Sequence, residues 1–166
     1  MTETSDTGVI RLNSHEEFVL HTKPLVKNSV RKIELLVNTL EPSWLGNPGV
    51  VEAIKQAVLK NRRLHLRLLI ADVESVIECD HPLLPLIRRL SRIEARIIDG
   101  QTLAKQPLKN ELLLVDRGGI IMRQSTTQFI GFAHYDDKQT VTVQQGVFDQ
   151  YWRFSKTHSD LRYVYL

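Results

Sequence analysis

The chain has 166 residues, of which 42% are hydrophobic and 25% charged, and it carries a formal net charge of +3. That balance describes one globular domain with a sizeable core and excludes disordered and low-complexity classes. No apolar run reaches the roughly 20 residues of a membrane span. Residues 1–8 carry no secretory pattern, and the single Cys79 allows neither an internal disulfide nor a thiolate cluster. The expectation is a cytoplasmic protein whose lone thiol, set between Glu78 and Asp80, is inert. The mild positive charge neither demands nor excludes nucleic acid.

In chain order, residues 1–13 read as a polar tail with a possible short strand at Val9–Leu12. Ser14-His15-Glu16-Glu17 then fits a capping box that opens a helix. This helix is expected to turn Phe18, Leu25, Val26 and Val30 inward and to kink or split at Pro24. Ile33–Val37 follows as a strand. Asn47 before Pro48 caps a second helix whose apolar stripe is Val50, Val51, Ile54, Ala57 and Val58, ending near Lys60–Arg63. Leu64–Ile70 begins as an alternating strand and ends as an apolar run, which suits a parallel strand in a buried sheet. Asp80-His81-Pro82 is expected to start a third helix with Leu83, Ile87 and Leu90 inward, and Ile93–Ile98 is the next strand. Strand–helix–strand–helix–strand is the pattern of right-handed parallel crossovers.

Beyond Asp99-Gly100 the pattern changes. Glu111–Val115 and Ile120–Arg123 flank the turn Asp116-Arg117-Gly118-Gly119 and predict an antiparallel hairpin. Gln128–Ala133 and Thr140–Gln144 read as further strands joined by a turn at Asp136–Lys138. Phe148–Trp152 lies on a closing helix, and Leu161–Leu166 reads as a final strand or extended segment. The fold class is α/β: a mixed sheet flanked by helices, in a single domain over residues 14–166.

The stretch from Lys109 through Glu111 and Asp116 to Arg123 resembles the site hairpin of the phospholipase D-like superfamily, whose motif is His-x-Lys-x-x-x-x-Asp. The helix from Asn47, the following Leu-x-Leu-Arg-Leu strand and the Phe148-x-x-x-Trp152 pair are similar to the family's other elements. Aligned on Asp116, Lys109 stands where the nucleophilic histidine belongs and Glu111 where the phosphate-binding lysine belongs. The resemblance implies a half-domain that pairs with a second copy, and chemistry through a phosphohistidine that these residues do not offer. A lysine ammonium is protonated at its ordinary pKa of about 10.4, and a glutamate repels phosphate. The family's Gly-Ser-x-Asn is replaced by Arg123, Gln124, Ser125 and Thr126.

The expected function is therefore that of a catalytically inactive phospholipase D-like domain, a binding, scaffolding or dimerisation module with no catalytic residue, metal or cofactor. Its expected partners are a second copy or another protein, and an anionic ligand or nucleic acid. Arg88, Arg89 and Arg92 are the candidate anion-binding residues, and no span enters a membrane. The alternatives are a diverged phosphodiesterase or phosphotransferase using a relocated histidine, His134 with Asp116, or a weak nucleic-acid binder. Asp116 also has a plain explanation as the first residue of a tight turn. The six histidines include no close-spaced metal pair.

Overall fold

The computed structural model of the protein describes residues 8–162. Seven strands form one mixed sheet: β1 (Ile10–Leu12), β2 (Lys32–Val37), β3 (His65–Ile70), β4 (Ile93–Ile97), β5 (Glu111–Val115), β6 (Gly119–Arg123) and β7 (Gly131–His134). Their spatial order is β1-β7-β6-β5-β2-β3-β4. The β2–β3 and β3–β4 pairs are parallel and every other pair is antiparallel. Six helices flank the sheet: α1 (His15–Lys27), α2 (Pro48–Lys60), α3 (Val73–Glu78), α4 (Leu84–Arg89), α5 (Gly100–Lys105) and α6 (Lys138–Arg153).

Period-two alternation along the central strands divides the core into two layers. Ile33, Leu35, Leu68, Leu113 and Ile121 pack with Phe18, Val26, Trp44, Ile54 and Ile87 of the α1–α4 side. Leu36, Leu69, Leu112, Leu114 and Ile120 pack instead with Val141, Phe148 and Tyr151 of α6. Trp44 is fully buried, and its indole N–H donates to the Thr22 hydroxyl at 2.8 Å. On the other layer half-buried Trp152 stacks on Phe148 at 5.7 Å between centroids, with the Arg67 and Arg96 guanidinium groups 4.8 and 4.4 Å from its ring.

Local chemistry explains the helix starts. Ser14 accepts from Glu17 N, and Asn47 accepts from Gly49 N and Val50 N. Asp72, Asp99 and Asp137 do the same for α3, α5 and α6.

Several expectations need correction. Residues 140–144 are helical, not a strand: Asp137 caps α6 instead of turning a hairpin, and burial of Val141, Phe148 and Tyr151 along one face outweighs the strand preference of Thr140, Val141, Thr142 and Val143. The strand expected at 128–133 is β7, shifted to 131–134. Pro24 does not split α1. It sits in the last turn, and the carbonyl it deprives of a partner belongs to exposed Leu20. Val30 lies beyond the helix and is 56% exposed. Asp80 does not open a helix: its left-handed backbone (φ 51°) joins α3, unforeseen in the sequence, to α4, and Arg92 falls past the end of α4. Helix α5 was likewise unforeseen. The strand of the presumed tail is β1, hydrogen-bonded to β7 with Ile10 opposite Ala133. Leu161 ends a short 3-10 turn at Ser159–Leu161, Arg162 follows in extended backbone, and residues 163–166 of the segment expected to be extended lie outside the described residues.

Candidate functional site

The hairpin β5–β6 runs antiparallel through a three-residue turn, so Val115 faces Gly119 and Glu111 faces Arg123. Because β5 also runs antiparallel to β2, Glu111 arrives at the carboxyl end of the parallel strands, beside Asn38. Its carboxylate accepts from Asn38 N at 2.8 Å and from Arg123 Nη1 at 2.7 Å. Both side chains are inaccessible, at 1% and 0% exposure. Arg123 Nε donates to the Gln128 carbonyl at 2.7 Å, and its guanidinium lies 4.1 Å from the centre of the Phe129 ring. Glu41 approaches Nη1 at 3.5 Å, and Nη2 has no hydrogen-bond partner. Burial pushes the Glu111 carboxyl above its ordinary pKa, opposed by the Asn38 N–H and by Arg123.

Lys109 lies just ahead of β5 and is exposed. Asp116 occupies the far end of the same strand, five residues or about 17 Å from Glu111. There its carboxylate accepts from Val30 N at 3.0 Å, Arg31 N at 2.8 Å and Lys32 N at 3.1 Å. These three donors hold it in a left-handed backbone conformation (φ 52°) that asparagine and aspartate tolerate better than most residues. Lys109 and Glu111 therefore share one end of the central strands, and Asp116 ties the opposite end of the hairpin to the start of β2. His134 Nδ1 accepts from Asp136 N at 3.1 Å.

The three candidate anion-binding arginines have different surroundings. Arg92 donates to the carbonyls of Val58, Asn61 and Leu64, closing the carboxyl end of α2. Arg88 Nε donates to the Asp160 carbonyl at 2.9 Å, and Arg89 is exposed. Among the described residues, no group of three or more His, Cys, Asp or Glu is placed to hold a metal ion. No helix among them is long and apolar enough to cross a membrane.

The residue that reading the sequence missed is Arg123, which completes the Glu111 cluster. The signal was its register: a hairpin closing one residue earlier, with Gly119 already in β6, puts a basic residue directly across from Glu111. His81, between α3 and α4, is fully buried. Its Nδ1 accepts from Leu83 N at 3.1 Å, its Nε2 has no partner, and burial lowers its pKa to about 4.

Comparison with curated proteins finds no match. Among solved structures, the archaeal chromatin protein TrmBL2, described as showing a novel mode of DNA binding, superposes with a TM-score of 0.66 at 14% identity over 94% of this chain. The alignment covers 56% of TrmBL2, so this protein spans about half of that relative's length. NucT from Helicobacter pylori aligns with a TM-score of 0.65 at 9% identity, over 90% of this chain and 99% of NucT. Nuc from Salmonella typhimurium, a phospholipase D family member, aligns with a TM-score of 0.61 at 11% identity, over 84% and 89% of the two chains. The fold is phospholipase D-like. Residues 14–164 match the family model described as Domain of unknown function (DUF7931), and the chain belongs to that family.

Proposed function

We propose that this protein is a phospholipase D-like domain without phosphodiester chemistry, working as a binding or docking module. The observation that carries the reading is the buried Glu111–Arg123 pair. Where the family motif would set a lysine to receive phosphate, a carboxylate is already matched to a desolvated guanidinium. Lys109, at the motif's histidine position, is open to solvent and, among the described residues, is not held against any other group of the hairpin site. Asp116 spends its carboxylate on three backbone donors.

The test is hydrolysis of bis(p-nitrophenyl) phosphate and of a fluorogenic oligonucleotide by purified protein. The reading expects turnover indistinguishable from that of the Lys109→Ala protein. Hydrolysis abolished by His134→Ala or Asp116→Ala would replace it with a relocated-histidine enzyme. Pairing with a second copy is part of the same proposal, since the family's sites lie between two half-domains. Light scattering should then give twice 19.1 kDa, and a value of 19.1 kDa would remove that part. A second reading, weak nucleic-acid binding, draws on the likeness to the DNA-binding archaeal protein. It expects an affinity that falls linearly in log salt.

A further inference from the structure

The strongest unassigned feature lies at the opposite end of the sheet from Glu111. Two adjoining clefts of about 490 and 330 Å³ meet at the start of β2, and Lys32, Asp116 and Arg117 line both. Arg31 borders the larger and Lys138, at the start of α6, the smaller. Four cations thus surround one carboxylate, Asp116, whose oxygens are taken by the N–H groups of Val30, Arg31 and Lys32. Arg31, Arg117 and Lys138 have no carboxylate partner among the described residues, and all three are exposed. Lys32 donates to Gln145 Oε1 at 2.9 Å. Glu34 stands 3.9 Å from Lys32 and is itself engaged by Arg67. Cations converging on a concavity raise the local concentration of anions.

We propose that the paired clefts around Arg31, Lys32, Arg117 and Lys138 form a binding site for a small molecule carrying a diphosphate or two neighbouring phosphoryl groups. Two concavities sharing a wall suit a ligand with two anionic centres. No aromatic ring lines either cleft, so the stacking platform that single-stranded nucleic acid uses is missing. The site does not depend on the preceding reading: phosphodiesterase activity would overturn that one and leave this one standing.

The experiment is a heteronuclear NMR titration of the full chain with inorganic pyrophosphate at low salt. The expected result is saturable shifts confined to the amides of Arg31, Lys32 and Arg117–Gly119. Arg117→Gln and Lys138→Gln should each weaken binding by about fivefold. Both residues are exposed, so the variants should keep the wild-type melting temperature, and Lys109→Gln should bind as wild type. Shifts absent up to about 10 mM, shifts centred on residues 109–111, or affinity unchanged in the Arg117→Gln/Lys138→Gln protein would overturn the site. An oligonucleotide of about 12 bases that binds where pyrophosphate does not would overturn the choice of a small ligand.

Discussion

Replacing Glu111 by glutamine tests the central claim about the hairpin, that its two charges depend on each other. In the folded protein Arg123 is inaccessible, and the Glu111 carboxylate 2.7 Å away is its main counter-charge. Removing one partner of a buried pair typically costs about 3–5 kcal/mol because the other charge is left stranded. Glu41, at 3.5 Å and 28% exposed, offsets part of that loss, which puts Glu111→Gln near the lower end, about 3 kcal/mol. For a chain of this size that corresponds to a fall in Tm of about 9 °C. Arg123→Met should cost a similar amount, since it leaves Glu111 buried without its cation and the Gln128 carbonyl without its donor. The double substitution Glu111→Gln/Arg123→Met removes both charges, and the glutamine still offers Asn38 N an acceptor. It should cost only about 2 kcal/mol, against about 6 for the sum of the single changes. Urea unfolding followed by far-UV circular dichroism measures all three variants. Single variants within 1 kcal/mol of wild type, or a double variant that equals the sum, would show that the pair is neither desolvated nor coupled.

Other outcomes follow from the same geometry. Between its ordinary pKa of 6.5 and its folded value of about 4, His81 binds a proton only when the chain unfolds, so stability falls as pH drops through that window. The loss amounts to about 3 kcal/mol by pH 4, with His21, also lowered chiefly by burial, acting in the same direction. His81→Asn should flatten the slope of unfolding free energy against pH, measured in urea at several pH values, and an unchanged slope would reassign it. Asp116→Ala should destabilise by about 2 kcal/mol, because three backbone donors lose their acceptor at a left-handed position, while Asp116→Asn should cost less. Equal losses in chemical denaturation would refute that account. A Cβ at Gly131 would lie 1.9 Å from the Met122 carbonyl oxygen, so Gly131→Ala should cost on the order of 3 kcal/mol and lower expression of folded protein. A wild-type melt would show that β6 and β7 separate easily.

The parts of the fold written in hydrophobic period were legible in advance. The stripe of α2 and the apolar run of β3 follow from which faces must leave water, and the structure buries Val50, Ile54, Ala57 and Val58 as their spacing requires. Helices α3 and α5 were not legible, because six residues give no period to read. Their signals were single capping aspartates, Asp72 and Asp99, which look the same as turn residues. The first half of α6 misled for a different reason: Thr140–Val143 carry strand-forming side chains, and only the sheet face beneath them makes the helix worthwhile. At the site, Lys109, Glu111 and Asp116 could be named from the motif and placed along one strand, but the backbone donors that engage Glu111 and Asp116 could not. Nor could Arg123, since its place opposite Glu111 depends on the hairpin closing over three residues instead of four.

The two tryptophans give the two layers of this sheet separate optical signatures. Trp44 is fully buried on the α1–α4 side, edge-on to the Phe18 ring at 5.1 Å, which favours blue-shifted emission. Trp152 is half-buried beside two guanidinium groups on the α6 side, a polar setting that favours redder emission. Loosening of α6 alone would therefore change the long-wavelength part of the spectrum while the blue component held. The wild-type protein can thus report whether its layers come apart together or in turn.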